Sequence, residues 1–170
     1  MKSLLGKSRH PLKWSPMSKL MVWVLATVLF LTACGMQTDR VVASVGEYEN
    51  YDFYTSGGFQ DYTDYGKYYF TTSSLAGNPY LKRIQETDLD AINKHLDDFE
   101  KWIETMKDND PSREIVVNYD FDRGTVDLED YFYIDSEEWE LETGHTLLTN
   151  YNIYFFDSQT QVLYYFHNNI

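Results

Sequence analysis

Cysteine is almost absent from this chain, since Cys34 is the only one in 170 residues. A single thiol excludes an intrachain disulfide and a zinc centre built from several cysteines. Histidine is also scarce, and His95, His145 and His167 are too far apart in sequence to form an H-x-x-x-H pair. The sequence therefore predicts no metal centre of the zinc type.

Motifs that identify an enzyme are missing as well. The chain has no G-x-S-x-G elbow and no glycine loop of the kind that holds phosphate groups. Its 27 acidic residues include many possible carboxylate pairs, but their presence alone does not identify a glycoside hydrolase. We therefore expect a protein without catalytic residues and without a cofactor.

Basic residues are few outside the N-terminal segment. Five of the 14 lysines and arginines lie in residues 1–33, which hold no acidic residue, so 9 basic and 27 acidic residues follow, a net charge of about −18. Such a charge repels nucleic acid and anionic lipid headgroups. It favours a cationic partner, such as a basic protein, a basic peptide or metal ions, although acidity can also simply keep an envelope protein soluble.

Long apolar runs are limited to one, the twelve residues from Leu20 to Leu31. A membrane-spanning helix needs roughly 20 apolar residues, so this run is too short to cross a bilayer comfortably. Basic residues precede the run and the small residues Thr32 and Ala33 follow it, an order typical of a secretory signal. Translation could start at Met1 or at Met17, because both starts retain a basic residue ahead of the run.

The segment Leu31-Thr32-Ala33-Cys34 resembles the lipobox of bacterial lipoprotein precursors. The resemblance implies cleavage before Cys34, a diacylglyceryl group on its sulfur and a further acyl chain on the new N-terminus. Two or more chains anchor a protein stably, whereas one binds reversibly. The lipoprotein would then lie outside the cytoplasm on the plasma membrane, or on an outer membrane if the host has one, as Gly35 after the cysteine would allow.

Three segments follow from this interpretation. Residues 1–33 are a cleaved lipoprotein signal peptide, residues 34–60 are the lipidated N-terminus and a partly ordered tether, and residues 61–170 are a globular domain. The 26 aromatic residues after residue 33 provide ample core material for such a domain.

One amphipathic helix is predicted from about Asp88 to Lys107, with Thr87 as its cap. Asp90 with Lys94 and Asp97 with Lys101 have the spacing of ion pairs along its polar face, to which His95 is also assigned. The apolar stripe consists of Leu89, Ile92, Leu96, Phe99, Ile103 and Met106.

The other predicted elements are strands. Alternating apolar residues predict a strand at 67–72, a hairpin of 114–122 with 125–134, an acidic connection at 136–150, and a second hairpin of 151–156 with 161–170. Asp130 shares a face with apolar residues, so it must be partnered, at a bulge or at a sheet edge. The fold class is α+β, with one long helix on an antiparallel sheet of about four to five strands. Cystatin-like and NTF2-like folds share that gross plan.

Three surfaces are candidates for function. Asp120, Asp122 and Asp127 surround the turn at Gly124 and could bind calcium, or they could simply form a solvated turn. The acidic charge, together with the aromatic residues of the second predicted hairpin (151–156 with 161–170, here the aromatic hairpin), favours a non-catalytic module that binds or protects against a basic protein or peptide. The alternative is a structural, wall-associated lipoprotein that contacts glycan through its tyrosine-rich segment, which has ten aromatic residues from Tyr48 to Phe70. Mutation of Tyr62, Tyr65 and Tyr68 would weaken such contact, although these aromatics could instead pack one face of an early strand. The oligomeric state is not predicted.

Overall fold

A computed structural model describes residues 39–57, 61–140 and 146–169 of the chain. These residues belong to one compact unit. The predicted signal peptide, the segment with Cys34 that resembles a lipobox, and His145 lie outside the described residues. Among those that are described, no helix combines the length and the apolar character needed to cross a membrane.

The domain consists of helices on both faces of a single antiparallel sheet. Three helices, α1 to α3, span Arg40–Val45, Leu89–Asn109 and Glu114–Asn118, and short 3-10 turns cover Glu86–Asp88 and Arg123–Thr125. Strands β1 to β6 span Tyr48–Thr55, Tyr62–Phe70, Lys82–Arg83, Tyr131–Glu140, Thr146–Asp157 and Val162–Asn169. The strand order is β1-β2-β6-β5-β4-β3. The α+β class is confirmed, but the described sheet has six strands and not four to five.

The segment predicted as a tether differs most from the expectation. Residues 40–45 form α1, whose Val41, Val42 and Val45 are buried, and residues 48–55 form β1, which pairs with β2. Asp39 begins α1, because its carboxylate accepts hydrogen bonds from the backbone N–H groups of Val41 and Val42. Glycines and acidic residues around α1 and β1 hide the helical and strand patterns of these segments in the sequence. Their apolar residues are nevertheless needed to cover the sheet.

The long helix α2 carries the predicted apolar stripe. Ile92, Leu96, Phe99, Ile103 and Met106 are all buried against the sheet. The predicted position of His95 is wrong, because this residue was assigned to the polar face and is buried on the sheet side. Thr87 does not cap the helix. Instead, Gln85 and Asp88 form a reciprocal capping box around the preceding 3-10 turn.

The predicted ion pairs within α2 are replaced by pairs to other elements. Lys94 contacts Glu138 of β4 at 2.7 Å, and Asp97 contacts Arg123 at 2.8 Å. Exposed pairs of this kind contribute little each. They do show that the polar face of α2 is bordered by β4 and by the Arg123 turn.

The first predicted hairpin is wrong. Residues 114–118 form α3, and β4 starts only at Tyr131. Ile115 is buried in the core between the sheet and helices α2 and α3, which we call the helix-side core, while Val117 is 66% exposed. Burial, and not strand propensity, therefore decides the local structure. The acidic connection is also shorter than predicted, because β4 continues to Glu140 and β5 starts at Thr146.

The second predicted hairpin is confirmed as β5 and β6, which lie in the middle of the sheet. Both faces of these strands are buried, as central strands require. The helix-side core is formed by α2, α3 and residues such as Tyr151, Phe155 and Phe166. The second face is covered by α1 and by Leu81, which pack on Phe156 and Leu163 among others. The aromatic hairpin is therefore core and not surface.

Candidate binding surface

The three aspartates around Gly124 do not converge on one point. Asp120 accepts hydrogen bonds from the Tyr65 hydroxyl and the Lys67 ammonium group, each at 2.8 Å. Burial alone would raise the pKa of Asp120, but these two bonds and the positive charge of Lys67 hold it below its usual value. Asp122 accepts the Gly124 N–H at 2.8 Å and so stabilises the 3-10 turn.

Asp127, the third member, faces other partners. It accepts hydrogen bonds from the Glu129 N–H at 2.7 Å and from the Gln159 amide at 3.0 Å. Within residues 39–57, 61–140 and 146–169, no group of histidine, cysteine or acidic side chains has an arrangement that could hold a metal ion. The structure therefore gives the calcium hypothesis no support.

Asp130 is partnered, which is one of the three expected outcomes. It is fully buried and accepts hydrogen bonds from the backbone N–H of Ser158 at 2.9 Å, the hydroxyl of Ser158 at 3.1 Å, and the N–H of Asp127 at 3.0 Å. Burial raises its pKa, and the hydrogen bonds oppose that shift. Asp130 thus joins the β5–β6 turn to the loop before β4, which is a structural role.

The tyrosines proposed as a glycan surface lie on different faces of β2. Tyr65 is fully buried on the helix side, and its hydroxyl bonds to Asp120. Burial raises the pKa of Tyr65 strongly. Tyr62 and Tyr68 point to the second face, because residues three apart on a strand lie on opposite sides. These three residues therefore do not form one surface.

A different set of rings is exposed on the second face, at the edge of the sheet. Tyr51 and Phe53 of β1 are 46% and 43% exposed. Tyr51 stacks on Tyr68 with ring centroids 5.9 Å apart and an interplanar angle of 17°, and Phe53 stacks on Tyr165 at 6.2 Å and 18°. We call these four residues the aromatic strip.

The strip depends on Gly66 of β2. This glycine lies between Phe53 and Tyr165 in the register of the sheet. A Cβ atom there would lie 3.1 Å from the Phe53 ring and 3.5 Å from both Tyr165 and Tyr68. A glycine inside a strand often marks such a close approach, and here it allows rings from β1 and β6 to meet across β2.

Carboxylates stand beside the strip. Asp39 accepts a hydrogen bond from Tyr154, whose ring is 5.0 Å from that of Tyr165. Asp64 lies opposite His167 in the register and is largely buried, and burial raises its pKa while a hydrogen bond to Thr55 and the charge of His167 lower it.

Tyrosines of the strip respond to this environment. Burial, followed by the charge of Asp39 and neighbouring groups, raises the pKa of Tyr68 to about 12. Burial and the charges of Asp64 and Asp39 raise that of Tyr165 further. The phenols therefore stay neutral, and the strip presents uncharged rings within a negative field. Such a surface can bind a cation, because aromatic faces and carboxylates both attract positive charge.

A second set of polar groups lies at the end of the helix-side core. The Tyr151 hydroxyl donates to Asp98 at 3.0 Å, and the Thr63 hydroxyl donates to Asn168 at 2.9 Å. His95 Nδ1 lies 2.8 Å from the carbonyl oxygen of Ala91, one helical turn earlier. These bonds satisfy only part of this buried set, because His95 Nε2 and Asn168 Nδ2 have no hydrogen-bond partner among the described residues. They do not bring a nucleophile and a base together.

The sequence placed Tyr51 and Phe53 in the aromatic stretch from Tyr48 to Phe70 that could contact glycan, but it assigned their segment to a tether and did not single them out as an exposed pair. The available signal was the alternation in β1 together with a glycine inside the next strand. No family model, curated protein or solved structure matches the chain. Its function therefore has to be inferred from its own residues.

Proposed function

We propose that this protein is a lipoprotein of the cell envelope, anchored through lipid on Cys34, whose domain binds a basic protein or peptide without catalysis. The lipobox and the apolar run before it support the anchor. The net charge of about −18 after residue 33 supports a cationic partner, because it speeds association with positive ligands and disfavours acidic ones. The domain would face away from the cytoplasm, on the plasma membrane or on an outer membrane.

The aromatic strip is the observation that carries the proposal. Large rings are usually buried, yet Tyr51 and Phe53 are almost half exposed at the edge of the sheet. A lysine or arginine above such a ring gains about 0.5–1 kcal/mol at an exposed site. Asp39 and Asp64 lie nearby and Asp64 is buried, so the strip offers aromatic contacts to a basic side chain and the two carboxylates add attraction through their charge.

Glycan binding is the second candidate function, and the ring stacks support it. Each pair of rings is nearly parallel, as in aromatic platforms on which sugar rings stack. The wall-associated role would then use Tyr51 and Phe53, and not the set of Tyr62, Tyr65 and Tyr68. The gross plan shared with cystatin-like and NTF2-like folds remains an analogy of architecture, which does not transfer function.

Binding of defined ligands to the full chain in a neutral detergent tests the proposal. The ligands are a decalysine peptide and purified cell-wall glycan, each measured at about 20 and 300 mM salt, concentrations that span strong and weak screening. We expect decalysine to bind at low salt and to be released at high salt. Phe53→Ala should weaken that binding about fivefold, the equivalent of one cation–π contact of about 1 kcal/mol.

Leu128→Ala is the matched control, because Leu128 is 41% exposed but lies outside the strip. It should leave decalysine binding unchanged. Absence of decalysine binding at low salt would refute the capture proposal. Salt-independent retention on cell-wall glycan, lost in Phe53→Ala and kept in Leu128→Ala, would establish the second candidate in its place.

A further inference from the structure

Strand β1 ends the sheet on one side. It pairs with β2 along its whole length, and no backbone hydrogen bond joins its other edge to any residue that the structure describes. α3 contacts β1, but its Ile115 and Val116 belong to the helix-side core. At the opposite end, the two-residue β3 pairs only with Tyr131 and Phe132, so residues 133–140 of β4 form a second edge. β1 is the edge that adjoins the aromatic strip, and it has eight residues.

Natural proteins usually protect an edge of this length with lysine, proline or a charge pointing inward. β1 has the sequence YENYDFYT, with neither lysine nor proline. Its protection is limited to a register shift between Tyr48 and Asn50 and to Asp52, which points inward, accepts a hydrogen bond from Tyr69 and lies 4.0 Å from Lys67. Glu49 and, just before the strand, Glu47 are exposed acidic residues, and no ion pair to either is found among the described residues.

The negative charge of these residues indicates which kind of segment could pair with the free edge of β1. Two copies of β1 paired with each other would bring acidic residues close together, which destabilises a strand pair. A basic segment would instead place positive side chains beside Glu49 and, on the second face, over Tyr51 and Phe53. Continuity with the aromatic strip means that one extended segment could contact both the backbone edge and the rings.

We propose that β1 is a docking edge for an extended basic segment of the partner, which adds to the sheet as a seventh strand. This inference rests on the proposed capture function and assigns its geometry. Backbone hydrogen bonds along 48–55 provide affinity, and alternate side chains provide specificity, as in other cases of strand addition. Because strand side chains alternate, every second residue of the segment would face Tyr51 and Phe53.

Blocked peptides of alternating lysine and valine, (Lys-Val)4, test this geometry with the full chain in a neutral detergent. One derivative carries N-methyl groups on its four valine amides and another carries them on its four lysine amides. In an extended strand these two sets of N–H groups point to opposite edges. With the lysines over Tyr51 and Phe53, antiparallel addition pairs the lysine amides with β1, and parallel addition pairs the valine amides. For addition in one direction, the derivative methylated at the paired set should bind at least about tenfold more weakly than the parent peptide, and the other should bind similarly.

Amide hydrogen exchange of residues 48–55 gives the second measurement. The parent peptide should slow exchange in β1 and leave α2 unchanged. The peptide (Glu-Val)4, of the same length, should neither bind nor protect. Ser56 N–H bonds to Thr63 of β2, so by alternation the N–H of Thr55 faces the free edge. Thr55→Pro removes that donor and adds a ring at the edge, whereas Val117→Ala changes an exposed residue away from it, so only the first should weaken binding.

The outcomes separate the two proposals. Equal binding of the parent and both methylated peptides, without protection of β1, would overturn strand addition and leave cationic capture standing. Failure of (Lys-Val)4 and of decalysine to bind at low salt would overturn both. Dimers of the free protein that protect β1 would identify a second copy of the chain as the occupant and would also overturn the proposal.

Discussion

Replacement of Val42 by alanine tests whether α1 is part of the domain. Val42 is 1% exposed and packs on the second face of the sheet with Phe156 and Leu163. The change removes two buried carbons at about 0.8 kcal/mol each, and the small cavity brings the expected loss to about 2 kcal/mol. In a domain of this size that loss lowers the melting temperature by roughly 8 °C.

Val117→Ala is the matched control, because Val117 is also in a short helix but is 66% exposed. Both changes gain the same small increment of helix propensity, so their difference isolates burial. Urea unfolding of the full chain in detergent, followed by Trp fluorescence, measures that difference as a shift in midpoint at constant slope. Equal midpoints for the two variants would show that α1 is not packed on the sheet. That result would support the original prediction that residues 40–45 are part of a tether.

Two further predictions concern buried ionisable groups. Asp130→Ala leaves backbone donors, including the Ser158 N–H, without their acceptor, and it should lower the free energy of unfolding by about 3 kcal/mol. The control is Asp122→Ala in an exposed turn, which should cost less than about 1 kcal/mol in the same urea titration. Similar losses would contradict the assigned role of Asp130. Burial lowers the pKa of His167 despite the nearby charge of Asp64, so near neutral pH the unfolded chain binds more protons than the folded one. The contribution of His167 to the free energy of unfolding should therefore be full above pH 7 and should fall as the pH drops below about 6.5. His167→Asn should remove this part of the pH dependence in unfolding titrations from pH 7.5 to 5, and an unchanged slope would refute the assignment.

Regular elements with a strong period were predictable from sequence. The stripe from Ile92 to Met106 recurs at helical spacing over several turns, so α2 was identified to within two residues at its ends. The β5–β6 hairpin was predictable for the same reason, because strand alternation continues on both sides of the turn at 157–161. A long repeat averages out the weak preferences of single residues.

Short elements were not predictable in this way. Residues 114–118 have β-branched residues typical of a strand, but Ile115 fills a place in the helix-side core that a helical turn can reach. β1 lies among glycines and acids, and only its pairing with β2 makes it a strand. Tyr51 and Phe53 were not singled out within the aromatic stretch from Tyr48 to Phe70 for this reason, since a residue's exposure depends on neighbours that are distant in sequence.

Sequence alone determined the strongly acidic charge after residue 33, the resemblance of Leu31–Cys34 to a lipobox, the α+β class and the face that α2 buries. These are local or additive properties, which depend on composition and on spacing within one segment. Tertiary structure decided that α1 and β1 belong to the domain and that Asp130 is satisfied by Ser158. It also decided that Phe53 meets Tyr165 across Gly66. Each of these facts joins residues from separate segments, and the chain brings them together only when both faces of the sheet are covered.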